Sequence, residues 1–330
     1  MKLLVDIEKL EAQGTVTAAQ AAAIRRVAAA ETMSLAVNVI LALGVIAVVA
    51  GVIALNPGTM EMAVLGGSIA AGGLALRLAR AESFGFLGGA LLLVGALLHG
   101  AAALIDFKGA APAFAYVAGL YLILGVLARQ GLLVALSVFA LAGLLGSSTG
   151  YWHASYALWV KEPTFTVAVF GLLACAALAL SPKFGPAYRR LAHVFATLCI
   201  VWVNFGFWVG SLWGDRPGSS WARAELLYGD AYAADRYQRL QEWYAQAFAL
   251  PAAAFALVWA AALIAFGAWA AARNRRAFVN AAAIFAAIHL FTQWFERFRA
   301  SPETIIAAGA VAVAIAFALW RYNQRAQPAG

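Results

Sequence analysis

Charged residues are scarce in this chain. Asp, Glu, Lys and Arg make up 12% of its 330 residues, whereas hydrophobic residues make up 64%. Because soluble globular domains carry roughly 25% charged residues, this composition excludes a soluble domain of substantial size. The net charge of +8 is spread over many short segments, so it also excludes a concentrated patch for nucleic acid.

Cysteines and catalytic motifs are equally scarce. The two cysteines, Cys175 and Cys199, fall inside apolar stretches, so we expect them to be packing residues and not a disulfide. The sequence has no phosphate loop, no cluster of metal ligands, no nucleophile elbow and no dinucleotide fingerprint. No metal site and no catalytic residue is therefore predicted, and an enzyme is the less favoured class.

Apolar sequence, by contrast, is abundant. Ten apolar stretches, most of 17 to 25 residues, fill the chain from Met33 to Tyr322. A bilayer core of roughly 30 Å requires about 20 apolar residues per helix, so these stretches predict an all-α polytopic membrane bundle over 33–322. A cytoplasmic helical hairpin at 1–32 precedes the bundle, and a short cytoplasmic tail at 323–330 follows it. The ten predicted spans are 33–55, 60–78, 84–105, 112–128, 130–147, 164–180, 190–213, 248–272, 276–296 and 302–321.

The basic residues predict the orientation of the bundle. With the N-terminus in the cytoplasm, 15 of the 23 Lys and Arg residues fall in inside segments, and four fall in short outside segments. The other four lie in the long loop at 214–247, which counts little because long loops cross the membrane regardless of charge. Both termini are therefore expected in the cytoplasm. The break at Arg129 and Gln130 separates two spans, because joining them would invert this bias.

The first 32 residues lack the apolar core of a cleavable signal peptide. Thr17 and Gln20 form a Thr-x-x-Gln capping box after Gly14, which predicts a hairpin of two short helices. The apolar stripe of this hairpin either folds against the membrane and the bundle, or docks a partner protein.

Two outside segments are long enough to fold. The segment 150–163 is rich in Tyr and Trp, which indicates an aromatic belt at the membrane interface. The segment 214–247, called the outer loop below, predicts two helices, one capped by Ser219 or Ser220 and the other by Asp230. Its charges nearly cancel, so we interpret it as an aromatic lid on the outer leaflet, or as a plug or docking face over a central cavity.

Two histidines in predicted spans are each followed seven residues later by a carboxylate: His99 by Asp106, and His289 by Glu296. Seven residues return to nearly the same face of a helix, so each pair shares one face, about 10 Å apart along the axis. Ionisable residues are costly inside a membrane, and these four side chains are therefore our candidates for a polar relay.

A proline follows each carboxylate by six residues, at Pro112 and Pro302, so the pattern His-x6-Asp/Glu-x5-Pro recurs with an offset of 190 residues. It predicts a parallel internal repeat relating the third and fourth spans to the ninth and tenth. Chance alignment of Ala- and Leu-rich helices is the alternative explanation.

With such a repeat, His99 and His289 would face each other in the outer half of the bilayer. They would then serve a proton or substrate relay, or hold a b-type haem between them. A metal site is disfavoured because two imidazoles fall short of the usual four ligands. The alternative is that each histidine is held by a hydrogen bond between helices, with the carboxylates at the water interface.

Three secondary polar candidates lie in the predicted spans: Asn204, Gln293 and His193. A buried Asn in such a helix is typical of a hydrogen bond between helices. Small residues at four-residue spacing also predict close packing of the second and third spans. These are Ala63, Gly67 and Ala71, then Gly85 and Gly89, and then Ala96 and Gly100.

Three short segments together resemble a known family. They are GTVTAAQ at 14–20, NFGFWVGSLWGD at 204–215 and FTQWFE at 291–296. They are similar to segments of a family of uncharacterised bacterial inner-membrane proteins, described as a domain of unknown function. The resemblance implies a multi-pass protein of the bacterial inner membrane, and it implies no substrate, cofactor or catalytic residue.

The leading functional hypothesis is a transporter or channel-like protein for a small solute, an ion or a proton. Many helices, a predicted repeat and intramembrane His and carboxylate pairs are the ingredients of such proteins. The second hypothesis is a non-transporting scaffold, sensor or assembly subunit that works through the N-terminal hairpin and the outer loop. The third, a haem-binding membrane protein, depends on His99 and His289 alone.

Overall fold

The chain forms two compact units in the computed structural model, Met1–Ser137 and Val138–Gly330. Both are built almost wholly from helices, as the composition predicts. The residues that the structure describes are 10–11, 13–24, 58–79, 84–152, 155–228, 235–273, 276–298 and 301–325, together with scattered residues between 40 and 55.

In the part of the first unit that the structure describes, three helices are long and apolar: α1 (Thr59–Leu78), α2 (Gly85–Asp106) and α3 (Ala111–Leu127). Helix α4 (Gly131–Leu144) begins in this unit and ends in the second. Helix α3 has a proline in its first turn, where the missing N–H leaves no helical hydrogen bond unmade.

A tight turn separates α3 from α4. Arg129 adopts a positive φ of 53°, and the N–H of Gln130 donates to the carbonyl of Gly125 at 2.8 Å. The N–H of Arg129 donates to the carbonyl of Val126 at 3.2 Å, which completes a Schellman end of α3. The predicted break at Arg129 and Gln130 is therefore confirmed as the end of one helix and the start of another.

Glycines spaced by seven residues let α1 and α2 pack backbone against backbone. A Cβ atom at Gly66 would lie 2.6 Å from the backbone nitrogen of His99 and 2.8 Å from the carbonyl oxygen of Gly95. A Cβ atom at Gly73 would likewise collide with the backbone of Leu92 and Gly88. The two helices thus approach as closely as their main chains allow, which is the contact that small residues permit in membrane helices.

The predicted packing residues are confirmed in part. A Cβ atom at Gly100 would collide with the side chain of Tyr121 in α3, whereas Gly85 has open space beside it, and a Cβ atom at Gly67 would lie 3.5 Å from Nδ1 of His99. The contact between α1 and α2 uses the seven-residue spacing of Gly66 and Gly73, because a helix face that meets an antiparallel partner along its length recurs at about 3.5 residues per turn. The four-residue pattern follows a neighbouring face.

The second unit begins with an antiparallel ribbon, in which Ser148 pairs with Trp159 and Tyr151 with Tyr156. Its strands are β1 (Ser148–Trp152) and β2 (Ser155–Trp159). Seven helices follow: α5 (Pro163–Leu180), α6 (Pro186–Trp213), α7 (Ser219–Tyr228), α8 (Arg236–Gln246), α9 (Ala252–Ala272), α10 (Arg276–Phe298) and α11 (Pro302–Arg325).

The aromatic segment at 150–163 is thus a strand pair over most of its length, a structure that the belt interpretation did not predict. The alternation of small and aromatic residues there was the available signal, because aromatic side chains favour strands.

Aromatic rings form the core of the second unit in two clusters along α6. In the first, Trp202 stacks on Phe170 of α5 with ring centroids 6.1 Å apart. In the second, Phe207 stacks in parallel on Trp259 of α9, with 6.5 Å between centroids and 4° between planes. The long α6 helix therefore ties α5 and α9 together.

Six of the described helices are long and apolar enough to cross a membrane. They are α1, α2, α5 with the short turn that follows it, α6, α9 and most of α10. Their surfaces are apolar as well: Leu172 and Ile264, for example, are each 73% exposed. Because water disfavours such surfaces and lipid does not, these helices are what a membrane protein requires.

The predicted spans agree with helices of the structure from 60–78 onward, with ends within four residues. Three of these helices are shorter than a full span: α3, α4 and the apolar part of α11. The predicted span at 33–55 lies largely outside the described residues.

Near the N-terminus, Thr17 and Gln20 cap each other as predicted. The N–H of Thr17 donates to Oε1 of Gln20 at 2.9 Å, and the N–H of Gln20 donates to Oγ1 of Thr17 at 3.3 Å. The rest of the predicted hairpin, at 1–9 and 25–32, lies outside the described residues.

Adjacent glycines in α1 provide a test of the backbone contact. In Gly73→Ala the new methyl group must displace the backbone of α2, and we expect a loss of about 1–3 kcal/mol in the free energy of unfolding. In the control Gly72→Ala the methyl group enters open space, where alanine stabilises a helix by about 0.5–1 kcal/mol. Thermal unfolding of both purified variants in detergent measures the difference, and equal midpoints would contradict the contact.

Candidate functional site

His99 joins three helices of the first unit. Its half-buried ring projects from α2, with Nδ1 2.8 Å from the carbonyl oxygen of Ala63 in α1. Its Nε2 lies 2.6 Å from the hydroxyl of Tyr116 in α3. The histidine is held by hydrogen bonds between helices, as one of the predicted alternatives requires.

These partners determine the tautomer of the ring. A carbonyl oxygen only accepts, so Nδ1 must carry the proton that it donates to Ala63. In the neutral ring, Nε2 is then the acceptor and the Tyr116 hydroxyl donates to it. A haem iron on Nε2 would require Tyr116 to turn away, so the observed geometry favours a hydrogen-bonding role for His99.

The same ring lines a cavity of about 420 Å³, called the His99 pocket below. At its edge the hydroxyl of Thr59, the first residue of α1, donates to Oδ1 of Asp106 at 3.0 Å. The pocket is bounded by Thr59, Met60, Ala63, His99, Ala102, Ala103, Asp106, Phe107, Pro112, Ala113 and Tyr116. A titratable ring and an exposed carboxylate therefore share one small cavity.

The structure thus brings His99 and Asp106 to one cavity, as their seven-residue spacing predicts. Tyr116 and Thr59, which complete the polar lining, were not predicted as site residues. Tyr116 had a usable signal, because it is one of two hydroxyl-bearing residues in an apolar helix, and it lies in the first half of that helix, the half nearer to Asp106 in the sequence. Thr59 had none, since it lies just outside a predicted span.

His289 has different surroundings in the second unit. Its half-buried ring, on α10, packs edge to face against Trp259 of α9 with 4.7 Å between centroids. Glu296 is exposed two turns further along α10. The residue 190 positions after Tyr116 is Ile306, so the second copy of the predicted repeat lacks the hydroxyl that His99 uses. The repeat itself stays a prediction, and His99 and His289 belong to different units.

Trp259 also links α9 to Asn204 of α6. Its indole N–H donates to Oδ1 of Asn204 at 2.9 Å, and Nδ2 of Asn204 donates to the carbonyl of Ile200 at 2.8 Å. Asn204 is therefore satisfied and joins two helices, as expected for a polar residue in this position. The other two secondary candidates, His193 and Gln293, are half-buried on α6 and α10.

An apolar cavity of about 310 Å³ lies beside this link in the second unit. Helices α5, α6 and α9 provide its walls, and it includes Cys175, Asn204 and Trp259. Both cysteines of the chain are free thiols. Cys199 is buried, as its prediction as a packing residue requires, whereas Cys175 is exposed.

Two carboxylates bind helix N-termini at one end of the second unit. Glu162, with 0% exposure, accepts hydrogen bonds from the N–H of Gly218 and the N–H of Ser220, both at 2.7 Å, and from the Ser220 hydroxyl at 2.6 Å. Asp215, at the start of the outer loop, accepts from the N–H of Thr164 in α5 at 2.9 Å. The Glu162 side chain therefore caps α7, and the Asp215 side chain caps α5.

This arrangement corrects the predicted cap of α7. Helix α7 does begin at Ser219, but the side chain that receives its N–H groups is Glu162, from a distant part of the sequence. Helix α8 begins at Arg236 after Asp235, and the predicted cap Asp230 lies outside the described residues. A local capping rule could not find an acceptor that lies 56 residues before Gly218.

The Glu162 cap is open to a direct test. Glu162→Gln replaces an accepting oxygen by an amide NH₂, which cannot accept from the N–H groups of α7. We expect the free energy of local opening of this cap to fall by about 1–3 kcal/mol. Local opening of the outer loop should then rise about tenfold or more, which faster tryptic cleavage at Arg223 would show. Glu225→Gln, on the exposed side of α7, is the matched control. Equal cleavage rates in the two variants would contradict the cap.

The Trp259–Asn204 hydrogen bond is open to a double-mutant cycle. Trp259→Phe keeps an aromatic ring beside Phe207 but removes the N–H, and Asn204→Leu removes its acceptor. We expect a coupling energy of about 1 kcal/mol between the two changes in the free energy of unfolding. Additive effects would show that the hydrogen bond contributes nothing to stability.

Comparison with known proteins identifies no relative from which a function could be inferred. No protein-family model matches the chain, and no curated protein or solved structure matches it either. The resemblance carried by the segments at 14–20, 204–215 and 291–296 therefore stays a prediction.

Proposed function

We propose that this chain is a transporter or channel-like protein of the bacterial inner membrane, and that the His99 pocket is the site through which a small solute, an ion or a proton passes. The observation that carries the proposal is the geometry of His99. A titratable ring, bonded to both neighbouring helices, lines a cavity of about 420 Å³ among helices apolar enough to lie in lipid. Such a group is costly in a membrane and is retained where it has a function.

Proton uptake at His99 would change its contact with α3. In the neutral ring Nε2 accepts from the Tyr116 hydroxyl, but a protonated Nε2 donates. The hydroxyl must then rotate from donor to acceptor, or separate from the ring, while the Nδ1–H bond to Ala63 stays intact. The proton therefore acts on the α2–α3 contact and leaves the α1–α2 contact in place, as a gating step requires.

Asp106 gives the pocket its attraction for cations. It is exposed at the C-terminal end of α2, where the helix dipole adds further negative potential. The Thr59 hydroxyl orients one of its oxygens, and the other faces no hydrogen-bond donor that we identify among the described residues. A proton or a small cation entering the pocket would meet this carboxylate before it reaches the His99 ring.

The topology belongs to the same proposal. We infer ten spans with both termini in the cytoplasm, because the excess of Lys and Arg in the short loops then lies inside. On this orientation the Asp106 end of α2, the ribbon of β1 and β2 and the outer loop are all outside. The helices observed from 60–78 onward support the number of crossings.

The capped outer loop favours a second candidate function, a non-transporting scaffold, sensor or assembly subunit. The buried carboxylate of Glu162 and the half-buried carboxylate of Asp215 hold the loop against α5 by hydrogen bonds, and the rings of Phe165 and Trp221 pack 5.0 Å apart. A loop fastened in this way would present a fixed aromatic surface to a partner protein.

Flux through the His99 pocket separates the two functions. Purified protein is reconstituted into vesicles that hold a pH-sensitive dye, and a potassium diffusion potential drives protons inward. We expect faster proton entry than in empty vesicles, and about tenfold slower entry in Tyr116→Phe and in Asp106→Asn, because each change removes a polar contact worth roughly 1.5 kcal/mol. Glycerol uptake, followed by light scattering, tests a neutral solute in the same vesicles.

Two matched controls accompany these variants. Tyr188→Phe and Asp235→Asn change exposed residues of the second unit outside the His99 pocket. Asp235 precedes α8 but its side chain forms no capping hydrogen bond, so both variants should transport as the wild type does. If protons and glycerol enter the protein-containing vesicles no faster than they enter empty vesicles, transport of these probes is refuted and the scaffold function is the remaining candidate. Wild-type rates in both pocket variants would refute the His99 pocket as the route.

A further inference from the structure

A second polar cavity lies in the second unit, where α5 and α9 begin and α6 ends. It has a volume of about 420 Å³ and is called the Lys161 cavity below. Its lining includes Lys161, Trp213, Asp215, Arg216, Ser219 and Tyr244. The proposed transport route through the His99 pocket uses none of these residues.

Lys161 and Arg216 line this cavity, and neither has a carboxylate partner among the described residues. The aliphatic stem of Lys161 packs beside Gly146, where a Cβ atom would lie 3.1 Å from Cδ of the lysine. The guanidinium of Arg216 lies over the ring of Tyr244, 5.5 Å from its centroid. Neither cation forms an ion pair among the described residues. Both side chains are therefore positioned by non-ionic contacts, and both residues are exposed.

The carboxylates next to the two cations in the sequence accept hydrogen bonds from the backbone. Oxygens of Glu162 accept from the N–H groups of Gly218 and Ser220 at the start of α7, and Oδ2 of Asp215 accepts from the N–H of Thr164 in α5. Glu162 is fully buried, whereas Lys161 and Arg216 are exposed. Glu162 does not line the cavity, but the half-buried Asp215 does. Two positive side chains, Lys161 and Arg216, therefore share the lining with one carboxylate, whose Oδ2 already accepts from the N–H of Thr164. The lining carries a net positive charge.

The position of the cavity indicates what its ligand is attached to. It lies at the ends of three membrane-length helices, with Trp213 75% exposed beside it and Tyr244 in its wall. Trp and Tyr are typical of the depth at which lipid head groups lie. Arg and Lys together are the side chains that bind phosphate oxygens, by paired hydrogen bonds and by point charge respectively.

We propose that the Lys161 cavity binds a phosphate group through Lys161 and Arg216. The phosphate belongs either to the head group of an anionic phospholipid or to a free phosphate-bearing solute. The Ser219 hydroxyl and the ring of Tyr244 complete the wall around it. This site is independent of the proposed transport function, because it lies in the other unit and shares no residue with the His99 pocket.

The test uses the full-length protein in nanodiscs. In one arm the discs mix phosphatidylcholine with phosphatidylglycerol, and mass spectrometry measures the phosphatidylglycerol that stays bound through detergent extraction. In the other arm the discs hold phosphatidylcholine only, and calorimetry measures binding of inorganic phosphate. The variant is Lys161→Gln with Arg216→Gln, and the control is Arg223→Gln, an exposed arginine of α7 outside the cavity.

Retained phosphatidylglycerol that falls about twentyfold or more in the double variant, roughly fivefold for each cation removed, would support the lipid as the source. Phosphate binding that is lost in the double variant, without any preference for phosphatidylglycerol, would support a free solute. Binding of neither probe, or equal binding by the wild type, the double variant and Arg223→Gln, would overturn the proposal. Both substitutions are on exposed side chains, and unchanged thermal unfolding would show that the fold is kept.

Discussion

The need to satisfy polar groups without water governs this structure. In apolar surroundings every backbone N–H and C=O group must find a partner within the protein, and helices provide those partners along their length. The few polar side chains within the helices obey the same requirement. Asn204 and Trp259 satisfy each other across α6 and α9, and His99 finds a carbonyl on one helix and a hydroxyl on another.

Helix ends raise the same problem in a different form, because their first N–H groups have no partner within the helix. Glu162 accepts from an N–H group at the start of α7, and Asp215 accepts from an N–H group at the start of α5. The consequence reaches beyond the caps. Glu162 is buried in its cap and only Asp215 lines the Lys161 cavity, so the positive charges of Lys161 and Arg216 exceed the negative charge there. A structural requirement at the helix ends thus contributes to the positive potential of the Lys161 cavity.

Much of this architecture could be predicted from the sequence, since long apolar runs leave little choice but a helix. The polar sites were harder to predict. The seven-residue spacing of His99 and Asp106 correctly places both on one cavity, because helix periodicity is a local property. The same spacing at His289 and Glu296 leads to a different result, with His289 against Trp259 and Glu296 exposed. A shared pattern within one helix says nothing about which neighbouring helix supplies the partner.

The sequence by itself determined the helical class, the positions of most described helices, the Thr17–Gln20 cap and the break at Arg129, all of which depend on composition or on residues a few positions apart. Tertiary structure decided which glycines meet, with Gly66 and Gly73 chosen over Gly67, and which carboxylate caps α7. It also decided that Tyr116 and Thr59 belong with His99. These outcomes depend on which helix faces lie against each other, and that choice arises from packing between segments distant in the chain, where local periodicity carries no information.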